Sequence, residues 1–331
     1  MRKLACALSV ALFAGATAGF WLHAWTDRPI EVDEPVILVL EPGEGLRVAA
    51  QRAYRLGLAD SSRLLAWSGR MLGKASVLRA GDYEFKGSVT PRSIFATLES
   101  GKSIQYTVTL PEGGTFRHIQ ATLANTLRLV DDISGLNVQT ALTDLGLGEG
   151  HAEGWFLPDT YHFQRGDPAS SILKRSHKAM SQLLLTVWNR RAHDVPYRNQ
   201  RQLLIAASII EKESGVPADR VRISGVIARR LKRGMRLQLD PTVIYGLGEA
   251  FDGNLTRADL RIRTPYNTYL HRGLPPTPIA SPSRGSVEAA AYPDKSDFLY
   301  FVSRGDGTSE FSKTLAAHRE AVRKYQLGRR N

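Results

Sequence analysis

The chain has 331 residues, with 44 Lys and Arg against 32 Asp and Glu and a formal net charge of +12. Its one cysteine, Cys6, excludes intrachain disulfides and Cys-based zinc or redox centres. The eight histidines show no metal-ligand spacing, and Gly-x-Ser-x-Gly and P-loop patterns are missing, so neither a metal nor a cofactor is expected.

From Leu4 to Trp25 there are 22 residues without Asp, Glu, Lys or Arg. At ~1.5 Å per helical residue this reaches across a ~30 Å hydrocarbon core. Arg2 and Lys3 precede it, so residues 1–3 are expected to form a cytoplasmic stub and everything after Thr26 to lie outside. The small-x-small site Ala16-Thr17-Ala18 suits a signal peptidase, but the apolar stretch runs on past the ~7–15 residues of a secretory segment, with Trp21 and Trp25 at interface positions. An uncleaved single-pass anchor is therefore expected, in a membrane whose outer side carries the bulk of the chain. The basic balance then points to an anionic polymer or lipid surface as partner, not to nucleic acid.

Residues 26–35 are polar with two prolines and read as a tether. Val36–Leu40 is a β-type run closed by the turn Glu41-Pro42-Gly43-Glu44-Gly45. Leu46, Ala49, Ala53 and Leu56 follow at helical spacing, and Ser61 caps a second helix. Gly81–Phe85 reads as a strand. Thr90-Pro91 opens a helix that Gly101 ends. A related order then recurs: strand Ile104–Leu110, turn Pro111-Glu112-Gly113-Gly114, and helical spacing at Phe116, Ile119 and Leu123. The first of these units, 36–101, has the make-up of a small βα module of the LysM type, and the next domain begins at 102.

Residues 129–150 are weakly patterned. A long helix is predicted over 170–195, stopped by Pro196, and further helices over 202–214 and 217–233. A short helix at 256–260, a rigid loop at 274–278, a helix at 285–291, a strand at 298–302 and a terminal helix at 314–325 complete the chain. The fold class is thus α+β: an N-terminal transmembrane helix, a small LysM-like βα module and a mixed α/β domain over 102–331.

In Leu203–Ile210 only Ser208 is polar, which on a helix means burial on nearly every side. Glu211 follows, one turn before Gly215. A dry wall and the negative end of the helix dipole both favour a neutral carboxyl there, the form a general acid needs. Glu213 lies about 200° further round, so the two acids cannot share one pocket face. The bland alternative is a solubilised helix end around Lys212. Three other segments concentrate aromatics with carboxylates, hydroxyls and amides, as carbohydrate clefts do: Glu153–Tyr161, Leu239–Gly246 and Tyr266–Tyr269. Together they supply the candidate substrate contacts Glu153, Phe156, Asp159, Ser208, Glu213, Asp240, Thr242, Tyr245, Tyr266, Asn267, Thr268 and Tyr269.

The ordered set EGWFLPDTY, ASIIEKES, RLKRGMRLQLDPTVIYGLG, TPYNTY and GLPPTPIASP closely resembles the MltG/YceG family of membrane-anchored endolytic murein transglycosylases, over roughly Val36 to Tyr325. The resemblance implies an N-terminal membrane helix, a LysM-like subdomain and a catalytic domain facing the periplasm, at the bacterial inner membrane. It implies that Glu211, first acid of the Glu-Lys-Glu motif, is the catalytic residue. The substrate implied is peptidoglycan, cut between N-acetylmuramic acid and N-acetylglucosamine to leave 1,6-anhydro ends and to set strand length, beside peptidoglycan synthases as membrane partners. Two alternatives stand against it. A hydrolytic muramidase would show a second carboxylate ~5–9.5 Å from Glu211. A non-catalytic wall-binding scaffold would leave Glu211 in bulk water, away from any cleft.

Overall fold

The computed structural model describes residues 13, 15–17 and 19–327. The expected span Leu4–Trp25 therefore falls in large part outside the described residues. Within it, residues 13, 15–17 and 19–25 are helical, and no helix among the described residues is long and apolar enough to cross a membrane.

The chain divides into two compact units. The first comprises 1–107 together with the returning segments 127–130 and 162–167. It contains β1 (Ile30–Leu40), α1 (Leu46–Arg55), α2 (Ser62–Met71), β2 (Gly81–Val89) and α3 (Pro91–Ser100). Strands β1 and β2 pair antiparallel, with Leu38 opposite Tyr83 and Leu40 opposite Gly81. Residues 30–35, read from sequence as tether, are instead strand: Ile30, Glu31 and Val32 pair with Val89, Ser88 and Gly87 before the register shifts ahead of Val36. A partner strand satisfies backbone groups that a polar, proline-containing segment would otherwise leave to water.

Leu38 and Leu40 project from one face of β1 onto Ala49, Ala50 and Ala53 of α1, Leu65 of α2, and Ile94, Phe95 and Leu98 of α3. The helix ends follow their capping chemistry. Ser61 accepts from the Leu64 N–H, and Thr90 and Ser93 form a reciprocal capping box with Pro91 at the first helical position. Gly101 closes α3 at φ 67°, a left-handed conformation that glycine adopts without Cβ strain.

One buried carboxylate gathers the returning segments. Asp82, 2% exposed, accepts from Tyr106 and Arg165 and lies 3.4 Å from Arg128. Burial by itself would push its carboxyl up, but the hydrogen bonds from Arg165 and Tyr106 and the charges of Arg165 and Arg128 outweigh it and hold Asp82 below the usual carboxylate range. A cut at Gly101 would sever Asp82 from all three partners.

The second unit comprises 108–126, 131–161 and 168–331. After β3 (Tyr106–Thr109), whose first two residues belong to the first unit and which pairs with a later strand, come α4 (Phe116–Ala124) and the single turn α5 (Ala141–Asp144). The later strand, β4 (Thr160–Phe163), precedes the long α6 (Ala169–Arg190), α7 (Gln200–Glu213) and α8 (Pro217–Lys232). Next are α9 (Asp240–Leu247) and α10 (Arg284–Ala291), then the hairpin of β5 (Tyr300–Ser303) and β6 (Ser309–Ser312), and finally α11 (Leu315–Val322). Helix α7 is the axis of this unit: every residue from Leu203 to Ile210 is buried, packed among α6, α8 and α10. That is the all-round burial its apolar run predicts. Strand β4, the hairpin partner β6 and helix α9 carry no decisive pattern in the sequence and emerge only with their tertiary partners.

Candidate active site

Glu211 leaves the last turn of α7 and meets the N-terminus of α10. Its Oε2 accepts from the Ser283 N–H at 2.9 Å and from the Ser283 hydroxyl at 2.5 Å. The same hydroxyl accepts from the Ser286 N–H, so Ser283 is both the cap of α10 and the anchor of Glu211. Glu211 Oε1 makes no hydrogen bond; Arg220 Nη2 from α8 stands 3.6 Å away. The dry wall expected beside this carboxyl is present only behind it, in the buried run of α7. The carboxylate end faces donors, with its side chain 5% exposed.

Arg220 Nη2 also lies 3.7 Å from Glu112 Oε2, and Arg220 Nη1 donates to the Ser283 hydroxyl at 3.1 Å. One guanidinium therefore bridges two carboxylates, which places them closer together than the ~9.5 Å upper limit of two-acid glycosidases. The loop carrying Glu112 is stitched in place: the Gly113 N–H donates to Ser281 O at 2.9 Å and the Ser281 N–H to Gly114 O at 2.8 Å. Gly113 itself sits at φ +68°, a left-handed conformation that suits glycine, and a Cβ there would be 3.7 Å from Glu211 Cγ, an ordinary contact.

Lys212, the next residue along α7, lines a cavity of about 750 Å³ shared with Glu153, Tyr245, Phe251, Tyr266 and Ile279. Glu153 is 2% exposed. Its Oε1 accepts from the Phe116 N–H at 2.9 Å and its Oε2 from the Tyr245 hydroxyl at 3.0 Å. Burial pushes its carboxyl up to about 7 against those donors. Burial and the neighbouring Glu153 charge likewise raise the Tyr245 phenol. Tyr245 and Tyr266 meet edge to face at 4.8 Å, and the Tyr266 hydroxyl bonds Thr277 at 2.8 Å.

The sequence-derived candidates thus separate into groups. Glu153, Tyr245 and Tyr266 line this cavity. Glu213, Asp240 and Tyr269 line a different one, in keeping with the helical phase that parts Glu213 from Glu211. Asp159 is exposed and caps its own strand, accepting from the Thr160 N–H.

The remaining five are buried, and each is held by partners inside the unit. Phe156 is 0% exposed and stacks on Phe116 at 5.4 Å. Ser208 donates to Ile205 O and accepts from the Ile279 N–H at 3.0 Å, pinning the loop that leads to Ser283. Asn267 holds Leu260 O and Ile262 O, and Thr242 and Thr268 bond each other and the Leu239 backbone. These are the buried, saturated hydrogen bonds of loop-holding residues.

Sequence reasoning passed over Glu112, Arg220 and Ser283. Glu112 was visible only as part of a turn. Arg220 is one of many arginines, and Ser283 stands just past the quoted GLPPTPIASP motif. A Ser three residues before Ser286 at a helix start was the one local signal available for it.

With this geometry in view, a match to the YceG-like family spans residues 38–324. The chain belongs to the YceG-like family. It is 34% identical over 318 residues to the endolytic murein transglycosylase of Bacillus subtilis, covering 90% of this chain and 87% of that protein. It is 29% identical over 261 residues to the endolytic murein transglycosylase of Streptococcus pneumoniae, covering 68% of this chain and 46% of that one. Among solved structures it resembles a yceG-like protein from Listeria monocytogenes at 29% identity with a TM-score of 0.52, covering 87% of this chain and 99% of that one.

Proposed function

We propose that this YceG-like protein is an endolytic murein transglycosylase whose general acid and base is Glu211. The observation that carries the assignment is the asymmetry of its carboxyl: Oε2 is anchored twice by Ser283, while Oε1 is free of hydrogen bonds. A fixed carboxyl with one oxygen available is what proton transfer at a positioned glycosidic bond requires. The adjoining cavity, with its tyrosines and buried acid, has the volume and the mixed apolar and polar lining that sugar rings need.

In this mechanism Glu211 protonates the oxygen leaving C1 of N-acetylmuramic acid, and the C1–O bond breaks through an oxocarbenium-like state. Ionised Glu211 then takes the proton of the muramyl C6 hydroxyl, whose oxygen closes on C1. The proton returns to where it began, no water is consumed, and the product ends in a 1,6-anhydro ring. Arg220 sits where it can oppose the negative charge that Glu211 gains between the steps. Ser208, Thr242, Asn267 and Thr268 act by positioning loops, and Phe156 by packing.

The muramidase reading stays in play because of Glu112, the second carboxylate across Arg220. There a water held by Glu112 would attack C1 in place of the C6 hydroxyl. Mass spectrometry of fragments from purified glycan strands separates the two, since anhydro ends lack the water that reducing ends gain. Glu211→Gln is expected to abolish both products, by on the order of 10²–10⁴ in rate or more, with circular dichroism unchanged. Anhydro fragments released at near wild-type rate by that variant would remove Glu211 from the mechanism.

The wider organisation belongs to the same proposal. Residues 4–25 anchor the chain in the inner membrane, the LysM-like stretch 36–101 binds glycan as part of the first unit that 30–35, 102–107, 127–130 and 162–167 complete, the second unit cuts the strand on the periplasmic side, and synthases in the same membrane supply nascent strands. What supports the anchor is its length without charge.

A further inference from the structure

Another cavity of the second unit takes no part in this chemistry. It measures about 500 Å³, and Glu213, Arg230, Asp240, Tyr269, Tyr300 and His318 line it. None of the residues around Glu211 is among its walls.

Its polar groups are incompletely satisfied. Glu213 Oε1 is buried without a hydrogen-bond partner, and so is His318 Nδ1. Arg230 is only 7% exposed. Its Nε donates to Leu299 O at 2.7 Å and its Nη1 to Leu237 O at 2.6 Å, both backbone carbonyls. Nη2 makes no hydrogen bond, and the guanidinium has no ion-pair partner among the described residues. Asp240 adds an anchored carboxylate, its Oδ1 accepting from the Tyr269 hydroxyl at 2.5 Å. A buried carboxyl oxygen without a donor is unfavourable, and the Arg230 guanidinium, 5.1 Å from the Tyr300 ring centroid, feels the Glu213 charge only beyond ion-pair distance. Here they face the same space.

The charges decide the ligand. A simple amine would leave Arg230 unpaired, and a simple anion would meet Asp240. A sugar hydroxyl would neutralise neither. No group of three His, Cys, Asp or Glu able to hold a metal ion occurs among the described residues. We propose that this cavity binds a zwitterionic α-amino-acid head group, with its ammonium between Glu213 and Asp240 and its carboxylate on Arg230 Nη2. Burial, and then the Asp240 charge, push the Glu213 carboxyl up to about 8, so an arriving ammonium exchanges for that proton.

Two sources carry such a group: the free end of a diamino acid in the peptide stems of murein, or a soluble amino acid. The first rests on the transglycosylase reading, whereas the binding itself does not.

The test is calorimetric titration of the full chain with meso-diaminopimelate, with cadaverine as the ammonium-only probe and pimelate as the carboxylate-only probe. Saturable binding of diaminopimelate is expected, with each single-charge probe weaker by ~10-fold or more, the weight of a charge-assisted hydrogen bond. Glu213→Gln and Asp240→Asn are each expected to weaken diaminopimelate by a similar factor. No binding, equally tight cadaverine or pimelate, or indifference to both substitutions would overturn the site. The probe comparison needs no variant, so a misfolded one leaves the test intact.

Competition against strand cutting then identifies the source. Diaminopimelate slowing the cutting of peptide-bearing strands, and not of amidase-stripped strands, identifies the stem peptide; an equal effect on both identifies a soluble ligand. A wild-type chain that binds diaminopimelate yet cuts neither strand would sink the glycan reading and spare this one.

Discussion

Replacing Gly154 by alanine tests how tightly the second unit is built around its cavity. Gly154 follows Glu153 at φ +81°. A Cβ there would lie 2.5 Å from Pro278 Cβ, 2.8 Å from Pro278 Cγ and 3.1 Å from Ala280 O. A pyrrolidine ring and a backbone carbonyl do not swing away as a flexible side chain does. Two penalties therefore combine: ~1–2 kcal/mol for an L-residue in the left-handed region, and ~1–3 kcal/mol for overpacking against a rigid wall. Gly146 supplies the control. It lies in the same unit at φ +70°, with no atom within 4 Å of a built Cβ. Gly146→Ala should lose only the conformational part, so Gly154→Ala should be the less stable of the two by ~1–3 kcal/mol. Urea unfolding followed by the fluorescence of Trp155 and Trp188 measures both. Equal losses in the two variants would mean that the Gly154–Pro278 approach relaxes freely and that the close packing argued for this loop is wrong.

Two further outcomes follow from buried carboxyls. Asp82→Asn should destabilise the first unit toward the lower end of the ~3–5 kcal/mol seen when a buried pair is broken, since Arg128 and Arg165 remain partly solvated. Because the folded carboxyl lies below its unfolded value, that stabilisation is complete above pH ~4 and is lost as pH falls through the folded value. Denaturation at pH 7 and pH 3 should show the gap to wild type shrink, and an unchanged gap would refute the Arg-clamped carboxylate. Glu153 has the opposite sign. Its folded value, about 7, is raised, so wild-type stability falls as pH rises from its unfolded value to about 7 and is level beyond. Glu153→Gln should therefore gain on wild type by roughly 3 kcal/mol between pH 4 and pH 8; a pH-independent difference would show that Glu153 is not buried as described.

Much of the local architecture was legible in the chain itself, because it depends on neighbours within a few residues. Ser61, Thr90-Pro91 and Gly101 announce helix ends through groups three or four positions away. The apolar run Leu203–Ile210 announces a helix buried on all sides, and the two-residue step from Glu211 to Glu213 already assigns them to different faces. The segments that departed from expectation depend on distant partners. Residues 30–32 join the strand by pairing with 87–89, and 33–35 carry it across a register shift; Asp240–Leu247 forms a helix whose sequence periodicity did not announce it. The same holds more strongly for the site. Glu211 meets Ser283 across 72 positions, Tyr245 meets Glu153 across 92, and Ser208 meets Ile279 across 71. Sequence alone determined which residues carry acid, hydroxyl and ring; the tertiary structure decided which face a cavity, which are sealed in hydrogen bonds, and that Glu112 and Arg220 stand beside Glu211. The physical reason is range: caps and periodicity act within a turn or two, whereas a site is made by burial, which brings together groups that the chain keeps apart.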